Sequence, residues 1–294
     1  MLPFFSIVIP TYNRPGQLIA CLESLTLLDY PQERLEVIVV DDGGSADTQG
    51  AIDPFRRRLN LSFLTQSHLG PAAARNNGAT HATGEFIAFT DDDCMPAPDW
   101  LRVLASCFAE HPDCMIGGRT INELSDNLCS TASQMLISYL YEYYNADAGH
   151  ARFFASNNLA VQRACFLKTG GFDTTYTQAA AEDRELSDRW LYFGYRMLYA
   201  PQAVVCHSHN LTITEFWRQH FNYGRGAWLF HRARARRCQE PVKVESLLFY
   251  LNLLWYPFTQ KCGVSTLVIG LLLVESQIAN ALGFLSQGVG QRIR

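Results

Sequence analysis

The sequence predicts an α/β fold whose strands deliver acidic residues to one edge, followed by a helical tail of different composition. Three observations support this. Short apolar runs rich in β-branched residues alternate with segments that have leucines at helical spacing. Two of these runs lead directly into the acidic clusters Asp41-Asp42 and Asp91-Asp92-Asp93. Aromatic, basic and apolar segments then replace this alternation. We therefore predict an α/β body over residues 1–211 and a separate helical tail over residues 212–294.

The first strand, helix and second strand form one βαβ unit. FFSIVIP at residues 4–10 is an apolar run ended by a proline, which is typical of a buried strand. A helix follows, with leucines at positions 18, 22, 25 and 28, and Pro31 closes it. LEVIVV at residues 35–40 is the second strand, and it runs into Asp41-Asp42. In such units ligands bind at the carboxyl ends of the strands, so we expect a nucleotide-type crevice there.

The same alternation continues through the rest of the body. A strand over 61–65 and a helix over 72–81 precede EFIAFT at 85–90, which ends at the Asp91 cluster. Further along, the pattern predicts helices at 100–110, 124–144 and 165–169, strands at 115–121, 155–161, 196–200 and 203–207, and a helix that starts near Glu182-Asp183. Three strands therefore direct polar residues towards one edge of the sheet.

The tail combines positive charge with apolar runs. Four of its arginines cluster at positions 232, 234, 236 and 237, and apolar runs follow at 247–258 and 263–274. Each run has about 12 residues, short of the roughly 20 that cross a bilayer, and Pro257, Lys261 and Glu275 interrupt them. One interpretation is amphipathic or re-entrant helices on a membrane, beside an arginine belt that attracts anionic lipid. The other is packing of these helices on the body or on the partner in a homodimer.

Overall composition excludes some partners and indicates a compartment. Lys and Arg number 24 against 28 Asp and Glu, giving a net charge of −4, which argues against a nucleic-acid binder that neutralises phosphates. The nine cysteines form no CxxC pair, which favours a reducing compartment. The first residues lack the pattern of a signal peptide. We predict a cytoplasmic protein, peripheral on the cytoplasmic face of the membrane.

The Asp91-Asp92-Asp93 cluster predicts a metal site. Three adjacent carboxylates repel one another, and a divalent cation such as Mn²⁺ or Mg²⁺ neutralises them. In an extended chain Asp91 and Asp93 point to the same side, so one can bind the metal while the other reaches a sugar hydroxyl. An isolated DDD is more often a solvated turn, but its position after EFIAFT favours the metal site.

The motifs together resemble family 2 glycosyltransferases. FSIVIPTYNR, VIVVDDGGS, GPAAARNNGATHATGEFIAFTDDD and GGFD followed by AEDRELSDRW occur in the order and spacing of that family, over residues 4–209. The resemblance implies the GT-A fold, a Rossmann-like mixed sheet flanked by helices. It also implies metal-dependent, inverting transfer of a sugar from a nucleoside diphosphate sugar, usually a UDP-sugar, to a hydroxyl of a glycan or lipid-linked acceptor.

The resemblance also implies roles for individual residues on the donor side. The base and ribose would be held at the ends of the first two strands, where either of the two adjacent aspartates is a candidate for the base contact, and an arginine would orient an anionic group nearby. These positions are Pro10, Thr11, Tyr12, Asp41, Asp42 and Arg75. Asp91 and Asp93 match the Asp-x-Asp motif whose metal bridges the two phosphates, with Asp92 turned away or assisting and His207 as a further ligand.

On the acceptor side, the resemblance places the chemistry at Glu182-Asp183. Inverting transfer needs one carboxylate to take the proton from the attacking hydroxyl, and we predict Asp183 for that role, with Glu182 contacting either the acceptor or the groups that orient the base. Without the upstream motifs, a pair of acids that only stabilises a helix start would be the preferred interpretation. Asn158 matches a position that lines the sugar or acceptor pocket in the family.

Three other functions share features of this pattern. A catalytically idle homologue that binds nucleotide sugar as a scaffold is disfavoured, because Asp91-Asp92-Asp93, Arg75 and Glu182-Asp183 are all retained. A nicotinamide dehydrogenase is disfavoured because no GxGxxG follows the first strand. Nucleotidyl transfer also uses a metal and an α/β sheet, and it would release pyrophosphate instead of a nucleoside diphosphate.

Overall fold

The structure is a computed structural model that describes residues 2–178, 180–239, 244–260 and 266–292, with side chains up to residue 289 in the last segment. Eight strands are described: β1 Phe5–Thr11, β2 Leu35–Asp41, β3 Leu61–Thr65, β4 Phe86–Thr90, β5 Cys94–Pro96, β6 Met115–Asn122, β7 Asn158–Gln162 and β8 Met197–His207. They form one sheet in the order β3-β2-β1-β4-β7-β6-β8-β5.

Ten α-helices lie in the described part of the chain: α1 Pro15–Thr26, α2 Thr48–Ile52, α3 Pro71–His81, α4 Trp100–Glu110, α5 Leu128–Tyr144, α6 Arg163–Thr169, α7 Glu182–Tyr192, α8 Ile213–Cys238, α9 Leu247–Thr259 and α10 Thr266–Arg292. The first four strands pair in parallel, whereas β7 is antiparallel to β4 and β6. The predicted Rossmann-like mixed sheet flanked by helices is therefore confirmed.

Each face of the sheet carries its own apolar core, because side chains alternate along every strand. In β1, Phe5, Ile7 and Ile9 face the core under α1 and α4. Val8 faces the opposite core, which α3, α6 and α7 cover. Burial on both faces fixes the register of β1, since a shift by one residue would exchange its two faces. This register places Thr11 beside Asp41 at the carboxyl ends of β1 and β2.

The end of the body differs from the predicted two strands. Residues 196–200 and 203–207 belong to one strand, β8, which pairs in parallel with β6. The register shifts between Gly118 and Arg119 of β6, so β8 accommodates the intervening residues as an irregularity. β8 then pairs with the short strand β5, which brings Cys94 opposite His207.

The second apolar run of the tail is longer than predicted. Residues 261 and 263–265 lie outside the described residues, but from Thr266 onward α10 continues well past Glu275. A single partly exposed glutamate has good helix propensity and does not end a helix. The segment Thr266–Val289 is long and apolar enough to cross a membrane by length and composition.

The tail helices pack on the body through a third apolar core. Leu136 and Tyr139 of α5 belong to one buried cluster with Phe216 of α8 and Leu253 of α9, and residues of α10 complete it. At the crossing of α8 and α10, the backbones are so close that a Cβ on either Gly224 or Gly283 would collide with a carbonyl oxygen of the other helix. The division of the chain at residues 211 and 212 stays a prediction.

Two of the four arginines clustered at 232–237 serve this packing. Arg237 donates to Glu185 and to Asp188 of α7, at 2.8 Å in both cases, and Arg234 lies 3.4 Å from Asp188. The predicted belt of four lipid-facing arginines is therefore wrong for Arg234 and Arg237, because acidic residues of α7 neutralise them. The packing interpretation holds for α8.

Candidate active site

The carboxyl ends of β1 and β4 meet in a buried hydrogen-bonded cluster. Thr11 donates through Oγ1 to Asp92 Oδ2 at 2.7 Å. Arg14 Nη1 lies 3.3 Å from Asp92 Oδ1 and 3.1 Å from Asp93 Oδ2. Burial raises the pKa of Asp92 to about 7, although Arg14 acts in the opposite direction. The Asp92 side chain thus points into the protein, where it binds Thr11 and Arg14.

Asp91 and Asp93 do not lie on an extended strand. The chain turns after β4, and Cys94 N donates to Asp91 O at 3.1 Å. Our expectation that alternation puts both carboxylates on one side is therefore wrong, because that rule holds only for extended backbone. Asp91 instead pairs with Arg75 at 2.6 Å, and Asp93 Oδ1 lies 3.2 Å from His207 Nε2.

Asp93 and His207 form a group of donor atoms that fits a divalent cation. Donor atoms of Asp93, Cys94 and His207 lie within 4.8 Å of one another. Burial tends to raise the pKa of Asp93, but the hydrogen bond and charge of His207 and Arg14 outweigh it and hold that pKa well below its usual range. An ionised carboxylate beside an imidazole is a donor set that Mn²⁺ accepts. The structure thus places His207 where the sequence predicts a ligand.

Arg75 joins the metal-side acid to the acidic pair of α7. Its guanidinium is buried and donates through Nη2 to Asp91 at 2.6 Å and through Nη1 to Glu182 at 3.1 Å. The ring of Phe172 lies 5.5 Å from the guanidinium carbon. The Nε of Arg75 is buried without a hydrogen-bond partner in the described structure. The Arg75 side chain therefore fixes the distance between Asp91, on the metal side of the site, and Glu182, at the start of α7.

The start of α7 holds Glu182 and Asp183 in a strained turn. Ala181 has a φ of 67°, a left-handed conformation that costs energy for an alanine. Ala180 N donates to Glu182 Oε2 at 2.8 Å, which together with Arg75 fixes Glu182. Asp183 accepts from Arg184 N at 2.7 Å. Burial, and then the charge of Glu182, raise the pKa of Asp183 to about 7.

Asp41 and Asp42 lie buried at the end of β2 and hold adjacent loops. Asp42 accepts from Leu69 N at 2.9 Å and from Gly70 N at 2.8 Å, and Gln66 Nε2 donates to it at 2.8 Å. Asp41 accepts from Gly44 N at 2.9 Å. These bonds shape the loop that leads into α3, where Gly70 has a φ of +93°. The predicted contact with the base, by either Asp41 or Asp42, stays a prediction.

Tyr12 gives the site an exposed aromatic face. Its ring is 43% exposed and stacks on His68, with centroids 4.2 Å apart and an interplanar angle of 25°. Pro10, by contrast, is buried within β1 opposite Val40, so it offers no exposed side chain for contact. The flat pair formed by Tyr12 and His68 lies beside Asp42, since His68 Nδ1 is 2.9 Å from its carboxylate.

Asn158 is buried in the sheet opposite Thr90, and its side chain is bonded to the protein, so its assignment to the sugar or acceptor pocket is corrected. Its Oδ1 accepts from Trp100 Nε1 at 2.9 Å, and its Nδ2 donates to the carbonyl oxygens of Arg119 at 3.1 Å and Ala203 at 2.9 Å. The side chain is buried, and these bonds occupy both ends of its amide. Asn158 therefore joins β6, β8 and α4 and does not face a ligand.

The sequence interpretation did not include Arg14 and His68. Arg14 lies inside the TYNRP turn, where a basic residue directly after the first strand was the available signal. For His68 there was no local signal, because its partner Tyr12 is distant in the chain. Tyr223 of α8 belongs to the same region of the molecule: burial, and then the charges of Asp183, Glu182 and Asp91, raise its pKa. Tyr223 therefore lies near the acidic residues of the cleft.

Comparisons with known proteins identify what the chain is similar to. The model of glycosyl transferase family 2 matches residues 6–170. Glycosyltransferase AglE of Haloferax volcanii is 27% identical over 241 residues, which are 80% of this chain and 78% of that protein. Validoxylamine A glucosyltransferase of Streptomyces hygroscopicus subsp. limoneus is 28% identical over 240 residues, 72% of this chain and 49% of its own. The chain thus spans about half the length of some curated relatives.

Solved structures show the same fold at low sequence identity. The mannosyltransferase PcManGT from Pyrobaculum calidifontis, in complex with GDP-Man and Mn²⁺, has a TM-score of 0.64 at 18% identity and covers 100% of this chain and 81% of its own. Residues 1–349 of Staphylococcus aureus TarS in complex with UDP-GlcNAc have a TM-score of 0.55 at 17% identity, covering 98% and 91%. These matches agree with the resemblance of residues 4–209.

Proposed function

The chain belongs to glycosyl transferase family 2, and from this membership we propose that it transfers a sugar from a nucleoside diphosphate sugar to an acceptor hydroxyl with inversion. The observation that supports this most is the bridge formed by Arg75, which holds Asp91 and Glu182 in one buried network. Transfer needs the leaving diphosphate and the attacking hydroxyl on opposite sides of one anomeric carbon. A fixed connection between a phosphate-side acid and a base-side acid meets that need.

For the donor we propose a UDP-sugar. The exposed ring of Tyr12 offers a stacking face for the base, and Asp41 or Asp42 would accept from the N–H of uracil. Such a carboxylate discriminates between bases, because a base without that N–H would leave it unpaired. Two structural neighbours hold GDP-Man and UDP-GlcNAc, so both nucleotides belong in the test.

We assign the cation to Asp93 and His207, with Asp91 at the edge of the site, and propose Mn²⁺ or Mg²⁺. When bound, such an ion neutralises charge on the departing nucleoside diphosphate. Thr11 and Arg14 hold Asp92 and Asp93 in place, and Arg75 keeps Asp91 turned towards α7. The acids are thus arranged before any ligand enters.

Asp183 is our candidate for the general base. A pKa of about 7 means that the ionised carboxylate takes a proton readily at neutral pH. Both carboxylate oxygens of the buried Glu182 are bound, by Arg75 and by Ala180 N, so its role is to orient this turn and the neighbouring Asp183. The acceptor, a glycan or a lipid-linked hydroxyl, would approach past Tyr223 of α8.

A nucleotide-sugar panel with Mn²⁺ and Mg²⁺ tests this function. We expect release of a nucleoside diphosphate from one donor, lost on chelation, and a fall of roughly 10²-fold or more for Asp93→Ala and for His207→Ala. Asp99→Ala, which removes an exposed carboxylate at the start of α4, should leave the rate unchanged. Release of pyrophosphate would indicate nucleotidyl transfer, and tight donor binding without turnover would indicate an idle scaffold.

We propose further that α9 and α10 bind the protein peripherally to the cytoplasmic face of a membrane. Large apolar side chains of both helices are exposed, among them Trp255 at 65%, Leu271 at 70% and Leu285 at 62%. Because α10 packs closely on α8 at Gly224 and Gly283, one side of it stays with the protein while the other side is free for lipid. This arrangement supports a helix lying on the membrane surface over one crossing it.

Vesicle flotation with charged substitutions tests this membrane surface. We expect Leu271→Glu combined with Leu285→Glu to abolish flotation, because a carboxylate on each position would have to enter the lipid interface. Donor hydrolysis should stay unchanged. Leu27→Glu is the matched control, since Leu27 is 67% exposed on the body. A wild-type chain that does not float, but forms a dimer that the double substitution dissociates, would show that this face pairs with a second copy.

A further inference from the structure

Helix α8 lies directly against the turn that precedes Glu182 and Asp183. A Cβ added to Gly226 of α8 would lie 2.3 Å from the carbonyl oxygen of Ala180 and 3.0 Å from its Cβ. Real Cβ atoms essentially never come closer than 3.0 Å to such an atom, so this contact requires a glycine. Because α8 meets the backbone of the turn, the turn cannot move aside as a flexible side chain would.

The contact at Gly226 acts on the residue that holds this turn together. The N–H of Ala180 donates to Glu182 Oε2 at 2.8 Å, and its carbonyl group lies against Gly226, so both of its peptide groups are held. The next residue, Ala181, has the unfavourable φ of 67°. An alanine keeps such a conformation only where its surroundings impose it. Helix α8 therefore helps to hold Ala181 in the conformation from which α7 begins.

A second contact between α8 and the start of α7 lies at Phe230. Its ring is buried, and the guanidinium carbon of Arg184 lies 4.6 Å from the ring centre. A cation over an aromatic face at this distance is held by electrostatic attraction. The backbone N–H of the same Arg184 donates to Asp183 at 2.7 Å. Phe230 therefore fixes the residue whose backbone binds the Asp183 carboxylate.

We propose that Gly226 and Phe230 are positioning residues for glycosyl transfer: they hold the turn at Ala181 so that the Asp183 carboxylate is aimed at the acceptor hydroxyl. The inference rests on the proposed role of Asp183 as the general base. Both residues act through geometry, since a reacting group misplaced by about 1 Å can lose roughly 10²-fold in rate. Helix α8, which follows the predicted α/β body, then belongs to the catalytic unit.

Gly226→Ala, measured alone and together with Asp183→Asn, tests the proposal. We expect Gly226→Ala to lower the turnover number by roughly 10- to 100-fold, with the KM for the donor changed by less than about twofold. In the Asp183→Asn background the same substitution should change the residual turnover by less than about twofold, because a base that is already missing cannot be displaced. Damage to the fold alone would lower the rate equally in both backgrounds.

Gly270→Ala in α10 is the matched control. It makes the same substitution inside a helix, but a Cβ there would lie 3.8 Å from the Phe258 ring, which is an ordinary contact. We expect an unchanged turnover number. Circular dichroism of each variant identifies loss of folding.

Phe230→Leu is the second variant and decides the question if Gly226→Ala does not fold. Leucine keeps an apolar side chain against Arg184 but removes the aromatic face. We expect the turnover number to fall by roughly 3- to 10-fold, and again only where Asp183 is present.

Two results would overturn the positioning role: full activity of the folded variants, or losses of equal size with and without Asp183. Either result would leave the proposed transferase function intact. That function fails separately, if the wild-type chain turns over no donor, and its base assignment fails if Asp183→Asn keeps the full rate. In both of those cases the positioning role is overturned as well.

Discussion

Asp183→Asn is expected to lower the turnover number for transfer by roughly 10²- to 10⁴-fold, with nearly unchanged donor affinity. The amide has the shape of the carboxyl group, so the turn at Ala181 and the hydrogen bond from Arg184 N can persist. It cannot take a proton from the acceptor hydroxyl. Steady-state kinetics with the donor found in the panel measure both effects.

The same residue predicts a pH dependence of the rate. Burial and Glu182 raise the pKa of Asp183 to about 7, so the fraction of ionised base rises as the pH passes through neutrality. We expect the turnover number to rise over the same range, and that limb of the profile to disappear in Asp183→Asn. Asp99→Asn, an exposed carboxylate at another helix start, should keep the wild-type profile.

As the pH rises, the contribution of Asp183 to the stability of the fold should fall while the turnover number rises. The pKa of Asp183 is higher in the folded chain than in the unfolded chain, so the folded state binds more protons between roughly pH 4 and pH 7. Its contribution to the free energy of unfolding is therefore present below pH 4 and falls as the pH rises through 7. We expect Asp183→Asn to unfold at a higher temperature than the wild type at pH 8. An active variant with an unshifted melting temperature would place the base elsewhere.

Much of the fold could be predicted because the strands of the sheet are buried on both faces. FSIVIP and LEVIVV contain too few polar residues for any other environment, and parallel pairing then brings Thr11 and Asp41 to the same edge. The acids at the strand ends could be located for the same reason. The directions in which the side chains of these acids point could not be predicted. Residues 91–93 form a turn, and the alternation of side chains along a strand does not extend into a turn.

Side-chain roles that depend on partners remote in the chain could not be predicted from the sequence. In a sequence, an asparagine that faces a ligand cannot be distinguished from one that joins strands. Only the hydrogen bonds of Asn158 to Trp100 and Ala203 show that it has the second role. Likewise, four arginines in a short run indicate a basic surface. That Arg234 and Arg237 are neutralised depends on Asp188, which is remote in sequence but adjacent across the contact of α7 and α8.

Arg75→Met is expected to lower the free energy of unfolding by about 3–5 kcal/mol, because it leaves Glu182 buried without its counter-charge. Transfer activity should fall below detection, since Asp91 and Glu182 lose their common partner. Chemical unfolding in urea at pH 8 measures the first effect. Arg58→Met is the control: Arg58 pairs with Glu23 at 3.0 Å, but both side chains are about half exposed, so its cost should stay below about 1 kcal/mol.

A second substitution separates the charge from the shape. Adding Glu182→Gln to Arg75→Met removes the unpaired charge, so most of the lost stability should return while activity stays absent. Arg75→Lys keeps the charge but offers a single nitrogen in place of the two that reach Asp91 and Glu182. We expect Arg75→Lys to fold and to transfer poorly. If Arg75→Lys were fully active, charge alone would suffice, and the fixed bridge between the two halves of the site would have no catalytic role.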